Sequence, residues 1–281
     1  MIADPSSDWM KAAVPLVFAE DLATSRHLVP VIAGNESGAY QAGASEMLEA
    51  TVEERRGRVR VEAFIRDMKT QRNRRVIEAR GPAAGGLIAT VNEIARKIDA
   101  RATDYSTSNG AALRAFSAAA ETSDAKAQMQ DLNRAIALDP GFGVAYITAL
   151  DVLARTGAQN LPAVLAKAHA HEEAFTPLDR ARFEEIASRV SHVPLKRRAS
   201  AASALLRLAP NNLDALTSLA ADRFLQGDAK AVALLRRASQ VSPGDAGIRL
   251  DRAEGLLETK QFRKAEKIFV RLDSDPDVLP D

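Results

Sequence analysis

Proline recurs at positions 140, 177, 210, 243 and 276, at intervals of 37, 33, 33 and 33 residues, each time after a helix-like segment. Proline has no amide hydrogen and its ring clashes with the preceding turn, so it stops a helix. The segments it closes, such as "NRAIALDP", "LLRLAP" and "RRASQVSP", carry apolar residues at helical spacing. A chain punctuated at this near-constant interval is expected to fold as an array of helical units, each burying an apolar stripe against the next. Aromatic residues make up only 5% of the chain and alanine is conspicuous. Small side chains suit short helices whose backbones approach closely.

Two consecutive units carry the same internal pattern: "NNLDALTSLAADRFLQGDAKAVALLRRASQVSP" (211–243) and "GDAGIRLDRAEGLLETKQFRKAEKIFVRLDSDP" (244–276). They resemble tetratricopeptide repeats. Leu216, Leu219 and Ala220 take that family's first-helix core positions, Gly227 the turn, and Ala231 and Ala238 the small positions of the second helix. Ala253, Leu256, Ala265, Phe269 and Leu272 repeat the scheme one unit later. Weaker units span 141–177, with Tyr146, Ala149, Leu150 and Leu153 on one face, and 178–210, with Phe183, Ile186, Ala187 and Val190. A longer second helix, "NLPAVLAKAHAHEEAF", is expected to account for the interval of 37. A degenerate unit at 110–140 precedes them, giving about five helix pairs between residues 107 and 274. The resemblance implies an all-α superhelix over 107–281, with a partner-binding concave groove lined by first helices. Mapped onto this chain, the family's groove positions are Asp151, Arg155, Asp214, Thr217 and Glu254.

Residues 27–80 follow a period of two. "SEMLEATVEE", "RVRVEAFIRD" and "RRVIEAR" alternate, with Leu48, Ala50 and Val52, then Val59, Val61, Ala63 and Ile65, on single faces. The expected structure is a three-stranded antiparallel meander over 46–80, turned at Gly57 and near Asn73, with "HLVPVIA" (27–33) as a further strand. Helices are expected at 8–25, with Pro15 a kink or late start, and at 86–99, where Leu87, Val91, Ile94 and Ile98 align. This order is α+β. "SDWM", "AEDLATSRHLVPV", "GASEMLEATVEERRGRVRVEAFIRD" and "GLIATVNEIARKI" are together similar to the TolB-like amino-terminal domain over roughly 8–98, within an expected first domain of 1–100. The family's opening strand has no counterpart ahead of Met1, and its Thr-Gly hairpin turn reads Thr70-Gln71.

Candidate chemistry is sparse. The absence of cysteine removes disulfides and thiolate chemistry. His169 and His171 point about 200° apart on a helix and cannot share a metal; His27 and His192 stand alone. "GPAAGG" (81–86) lacks the Lys-Ser/Thr of a phosphate loop and reads as a plain connection. The pairs Glu172/Glu173 and Glu184/Glu185 read as solvated helix faces. Ten basic residues crowd Arg55–Arg80, but five carboxylates dilute them and Phe64 is the lone aromatic. Nucleic-acid binding favours interleaved aromatics or a reading helix. Net charge is +1, which supports neither nucleic acid nor an anionic membrane as the main partner.

The expectation is therefore a non-enzymatic interaction scaffold, without cofactor or metal, taking a protein or peptide partner. The alternative is a sensory or regulatory module of a larger bacterial signalling or envelope protein, as the TolB-like resemblance implies. The start lacks a basic region before an apolar run, and no stretch reaches the ~18–20 apolar residues of a membrane-spanning helix. A soluble chain is expected, cytoplasmic or, if a leader is missing, periplasmic. Both ends look unfinished, so the expectation is either a segment of a longer protein or a homodimer that covers the exposed faces.

Overall fold

The computed structural model describes residues 8–83, 85–191 and 193–273; His192, Pro276 and the ends of both expected domains lie outside the described residues. Helix α1 (Trp9–Asp21) and the short α2 (Glu36–Gln41) precede strands β1 (Glu46–Arg55), β2 (Arg58–Asp67) and β3 (Asn73–Pro82), and α3 (Gly86–Ile98) follows. The sheet is antiparallel in the order β1-β2-β3, with Val52 opposite Val61 and Val61 opposite Ala79. The alternation has the expected consequence: Val59, Val61, Ala63 and Ile65 are buried, while Arg60 on the other face pairs with Glu78 at 2.7 Å and Glu62 at 3.2 Å. Cross-strand pairs of this kind occupy several of the meander's arginines. Arg74 pairs with Glu46 and Asp67, and Arg66 with Glu36 and Glu49.

Three local expectations are corrected. Residues 27–33 are not a strand; they form an extended strap outside the sheet. Pro30 cannot donate to a ladder, and the strap is held elsewhere. Ser25 Oγ accepts from the amides of His27 and Leu28, Asn211 Nδ2 reaches the carbonyls of Arg26 and Leu28 at 3.4 Å, and Asn35 caps α2. At the second hairpin the left-handed residue is Gln71 (φ 58°), not Asn73, which already lies in β3. Asp67 Oδ1 holds that turn by accepting from the amides of Lys69 and Thr70 and from Thr70 Oγ1. Finally, Pro15 is not a late start, because α1 begins at Trp9 and continues through it.

Ten helices follow: α4 (Gly110–Glu121), α5 (Ala125–Leu138), α6 (Gly143–Thr156), α7 (Leu161–His171), α8 (Pro177–Val190), α9 (Leu195–Leu208), α10 (Leu213–Leu225), α11 (Lys230–Val241), α12 (Ala246–Glu258) and α13 (Phe262–Asp273). Among the described residues they pack as five successive antiparallel hairpins, α4–α5 through α12–α13. Side-chain caps mark many starts: Asn109, Asp124, Thr176, Asn212 and Asp245 each accept from amides of the first turn. The interval of 37 has a different cause from the one expected. α7 is short and gives way to a 3-10 turn (Glu172–Ala174), and Pro177 is the first residue of α8 rather than a helix stop. Proline fits there because that amide has no intrahelical partner anyway.

The hairpins agree with the repeat pattern expected from the sequence in length, spacing and placement of small residues. Ala220, Ala231, Ala238, Ala253 and Ala265 are all fully buried where paired helices meet. Gly227 turns α10 into α11 with φ 69°, and Lys260, 33 residues on, does the same between α12 and α13 with φ 59°. A Cβ on Gly255 would overlap the Phe224 ring, so α12 approaches α10 closely only with glycine there. Two glycines of 81–86 are also packing residues: a Cβ on Gly81 would overlap Thr90 Oγ1 in α3, and one on Gly86 would meet Pro82 at 2.9 Å.

One hydrophobic core runs from α1, β2, β3 and α3 through α4, α6 and Phe183 of α8 without a break near residue 100. Smaller clusters continue it, the first joining α8, α9 and α10, the next α10, α11 and α12. No helix among the described residues is long and apolar enough to cross a membrane. Enlarging a fully buried small residue at a helix crossing forces the pair apart. Ala231→Leu and Ala265→Leu are each expected to destabilise the chain by about 1–3 kcal/mol, read as a lower denaturation midpoint in urea.

Candidate functional site

The strap and α1 lie over the face built by the first helices of successive hairpins. α1 packs on α4, Glu20 of α1 pairs with Arg182 of α8, and the strap bonds to Asn211 ahead of α10. Gly43 and Gly244 mark the far contact: a Cβ on Gly244 would meet Gln41 O at 3.0 Å, and one on Gly43 would meet Pro243 at 3.3 Å. The amino-terminal part thus reaches from the first hairpin to the start of the last.

Between these walls lies a cavity of about 620 Å³. Its lining is mainly apolar and includes Leu16, Leu28, Phe116, Val144, Leu213 and Val241, together with strap residues Val29 to Ile32. Val31 and Ile32 are 58% and 52% exposed, although both are large and apolar. Tyr105 also lines the cavity; it is 6% exposed, and its hydroxyl has no hydrogen-bond partner. A second cavity of about 210 Å³ adjoins it, sharing Glu20, Val144, Thr148, Arg182 and Asn212.

The second cavity is ionic. Glu20, Asp151, Glu185 and Asp214 face Arg182 and Arg189. The Glu20–Arg182 pair is mostly shielded from solvent, with 18% and 17% of the two side chains exposed. Glu185 is buried, accepting from Ser218 Oγ at 2.8 Å and from Arg189 Nε at 3.0 Å. The solvated-face expectation for Glu184/Glu185 therefore holds for Glu184 alone. Position 185 stands on the same stripe of α8 as Arg182, Ile186 and Arg189, one turn apart, and that stripe faces inward. Asp151 Oδ1 lies 3.8 Å from Arg189. Loss of water around the Asp151 carboxyl raises its pKa to about 6; Arg189 opposes the shift, Asp214 and Glu185 add to it, and Arg155 opposes it.

Of the five groove positions read from sequence, Asp151 and Asp214 meet in this cavity. Arg155 is exposed one turn further along α6 and acts on Asp151 only through its charge. Thr217 is half-buried and its hydroxyl donates to the carbonyls of Leu213 and Asp214. Glu254 is exposed on α12, outside both linings. Sequence reasoning missed Glu20, Tyr105, Arg182, Glu185 and Arg189. The signal for the last three was their spacing of three and four along α8, beside the buried Phe183 and Ile186. The histidines stay apart: His169 bonds Glu172 at 3.0 Å and edges onto Phe183, while His171 stacks on Tyr146.

No family model matches this chain, and no curated protein does. Among solved structures the chain is similar to a monomeric mutant of IFIT1 with Gppp-AAAA, at 16% identity and a TM-score of 0.46, over 64% of this chain and 44% of that one. It is also similar to YrrB, a TPR protein with an unusual peptide-binding site, at 15% identity and a TM-score of 0.39, over 67% of this chain and 92% of that one. The chain thus spans under half the length of the IFIT1 chain. Both scores are low, and the repeat assignment rests on this chain's own hairpins.

Behind the groove sits a carboxyl that does not line it. Asp21 is fully buried, and burial first, then the nearby Asp104 and Glu20, raises its pKa to about 8, against the pull of Arg96. The Asn92 amide donates to Asp21 Oδ2 at 2.9 Å, while Oδ1 has no partner. A carboxyl whose folded pKa exceeds its unfolded one contributes stability at low pH and loses it as pH rises through the folded value. Between about pH 4 and 8 Asp21 therefore makes the fold progressively less stable. Asp21→Asn should melt several degrees above the parent at pH 8.5, with the gain shrinking towards pH 5 in thermal scans.

Proposed function

We propose that the chain is a protein–protein interaction scaffold that takes a peptide segment of a partner protein in the groove between the amino-terminal part and the first helices of the hairpins. The observation that carries this reading is the groove itself: a cavity of about 620 Å³ whose apolar wall, Val29 to Ile32, is an exposed strap with no strand partner. Binding sites are commonly concave, mostly apolar and provided with a few convergent polar groups. On this reading the segment up to about residue 100, whose order of elements resembles the TolB-like domain, forms one wall. The array from about residue 107 forms the other.

Asp151 and Asp214 are groove residues in this scheme, Arg155 and Thr217 flank them, and Glu254 takes no part. The site is an unattractive one for nucleic acid, because four carboxylates outnumber two guanidiniums where a phosphate would have to sit. Catalysis is not part of the proposal; the ionic groups hold one another across helices rather than converging on a reacting atom.

The strap offers a clean test. Val31 and Ile32 are exposed, so replacing both with aspartate should change stability by no more than about 0.5 kcal/mol. Dodecapeptides selected from a random display library on the parent chain should bind the Val31→Asp/Ile32→Asp variant at least tenfold more weakly in fluorescence anisotropy. Equal binding by both proteins would place the working surface elsewhere.

A further inference from the structure

The groove has two chemically distinct ends, and the ionic end is out of balance. In the smaller cavity the carboxylates of Glu20, Asp151, Glu185 and Asp214 face only Arg182 and Arg189. Glu20 is matched by Arg182, and Glu185 by Arg189 and Ser218. That leaves Asp151, with a long 3.8 Å approach to the already engaged Arg189, and the exposed Asp214, which repels it and acts on Arg182, itself already engaged by Glu20. The apolar end carries the second observation: Val31 and Ile32 on its wall are large apolar side chains left more than half exposed.

We infer that the groove recognises a partner segment in which an apolar run adjoins a lysine or arginine, with the run against the strap and the cation seated between Asp151 and Asp214. Charge complementarity selects this occupant. A cation placed between the two aspartates removes their mutual repulsion, whereas an acidic segment would add a further negative charge. The shared residues Glu20, Val144, Thr148, Arg182 and Asn212 make the two cavities continuous, so one extended segment can fill both. Partners of the opposite charge are rejected by the same groups, which gives specificity as well as affinity.

This recognition depends on pH. Asp151 is faced by Arg189 and Glu185 from α8 and by Asp214 from α10, with Arg155 on its own helix and Glu20 and Arg182 across the cavity. A cation prefers the ionised carboxylate. As pH falls through about 6, Asp151 takes up a proton and affinity for a basic segment drops. Between pH 7.5 and pH 5.0 a single group titrating there lowers affinity by up to about tenfold.

The inference rests on the scaffold reading, and one experiment separates the two. The probe is the pool of random dodecapeptides displayed on phage, selected on the full chain at pH 7.5. Selected sequences should be enriched in Lys or Arg beside Leu, Val or Ile. Their synthetic versions should bind Asp151→Asn and Asp214→Asn about tenfold more weakly, the loss that goes with one charge-assisted hydrogen bond. Glu184→Gln, which removes an equal charge on the outward side of α8, should bind as the parent does. Binding to Asp151→Asn should no longer change between pH 7.5 and pH 5.0. If the selected peptides compete for the groove, as shown by loss on Val31→Asp/Ile32→Asp, but lack basic residues or ignore both aspartate variants, the cation assignment is overturned and the scaffold reading stands. If no peptide is selected, or none depends on the strap, both are overturned.

Discussion

Helix α1 is buried on two sides, and most of the architecture depends on that. Ala13, Val14, Val17 and Phe18 lie in the core that also holds the sheet, α3 and the first hairpins. A helix covered on one side only would leave the amino-terminal part as a separate body on a linker. Covered on both, it fixes the sheet to the array and sets the direction in which the chain leaves Asp21. The strap then has one course open to it, across the first helices, because Thr24 and Ser25 are already tied. Thr24 donates to Arg101 O at 2.6 Å, and Ser25 Oγ accepts from two amides ahead of it. A groove walled by the chain's own strap follows from where α1 ends.

The charges inside the molecule point the same way. Burying an ion pair seldom adds net stability over apolar packing, since desolvation consumes the Coulombic gain. Glu20–Arg182 and the shielded Arg198–Asp222 pair are therefore poor candidates for stabilising devices. Arg198–Asp222 spans α9 and α10 at 2.7 Å, while Arg198 Nε has no hydrogen-bond partner; the pair ties those helices together. Glu20–Arg182 instead sits on the wall common to both cavities.

The repeats were legible in the sequence because their causes are local. A terminal proline, a capping Asn or Asp and small residues at the crossing each act within one unit, and recurrence multiplies the signal. The sheet was legible for a similar reason, since alternation from Val59 to Ile65 sets which face is buried. The strap was not. "HLVPVIA" has strand-like composition, and the bonds from Asn211 hold it away from the sheet. That is a tertiary fact. Pro177 was misjudged because proline stops one helix and starts another with equal ease. Glu185 was misjudged because a carboxylate on an amphipathic helix is usually solvated, and only the approach of Ser218 and Arg189 reverses that. Two of the site's six charges, Asp151 and Asp214, were visible as repeat positions on α6 and α10; the other four arrive from α1 and α8 by long-range packing.

The uneven core gives the groove a mechanical role. The first three hairpins share the large core with α1 and the sheet, whereas α10 to α13 are held by small clusters between neighbours and by the strap's contacts. In arrays of this kind stability is roughly a sum over units and their interfaces, so regions with fewer buried contacts open at lower cost. The groove lies across this gradient: Val144, Asp151 and Arg182 belong to the strongly held part, Leu213, Asp214 and Val241 to the weakly held one. On the scaffold reading, a segment seated between them would contact both parts at once and draw part of its binding free energy from interactions that also stiffen the later hairpins, so that occupancy of the groove and order in the array would form a single linked equilibrium.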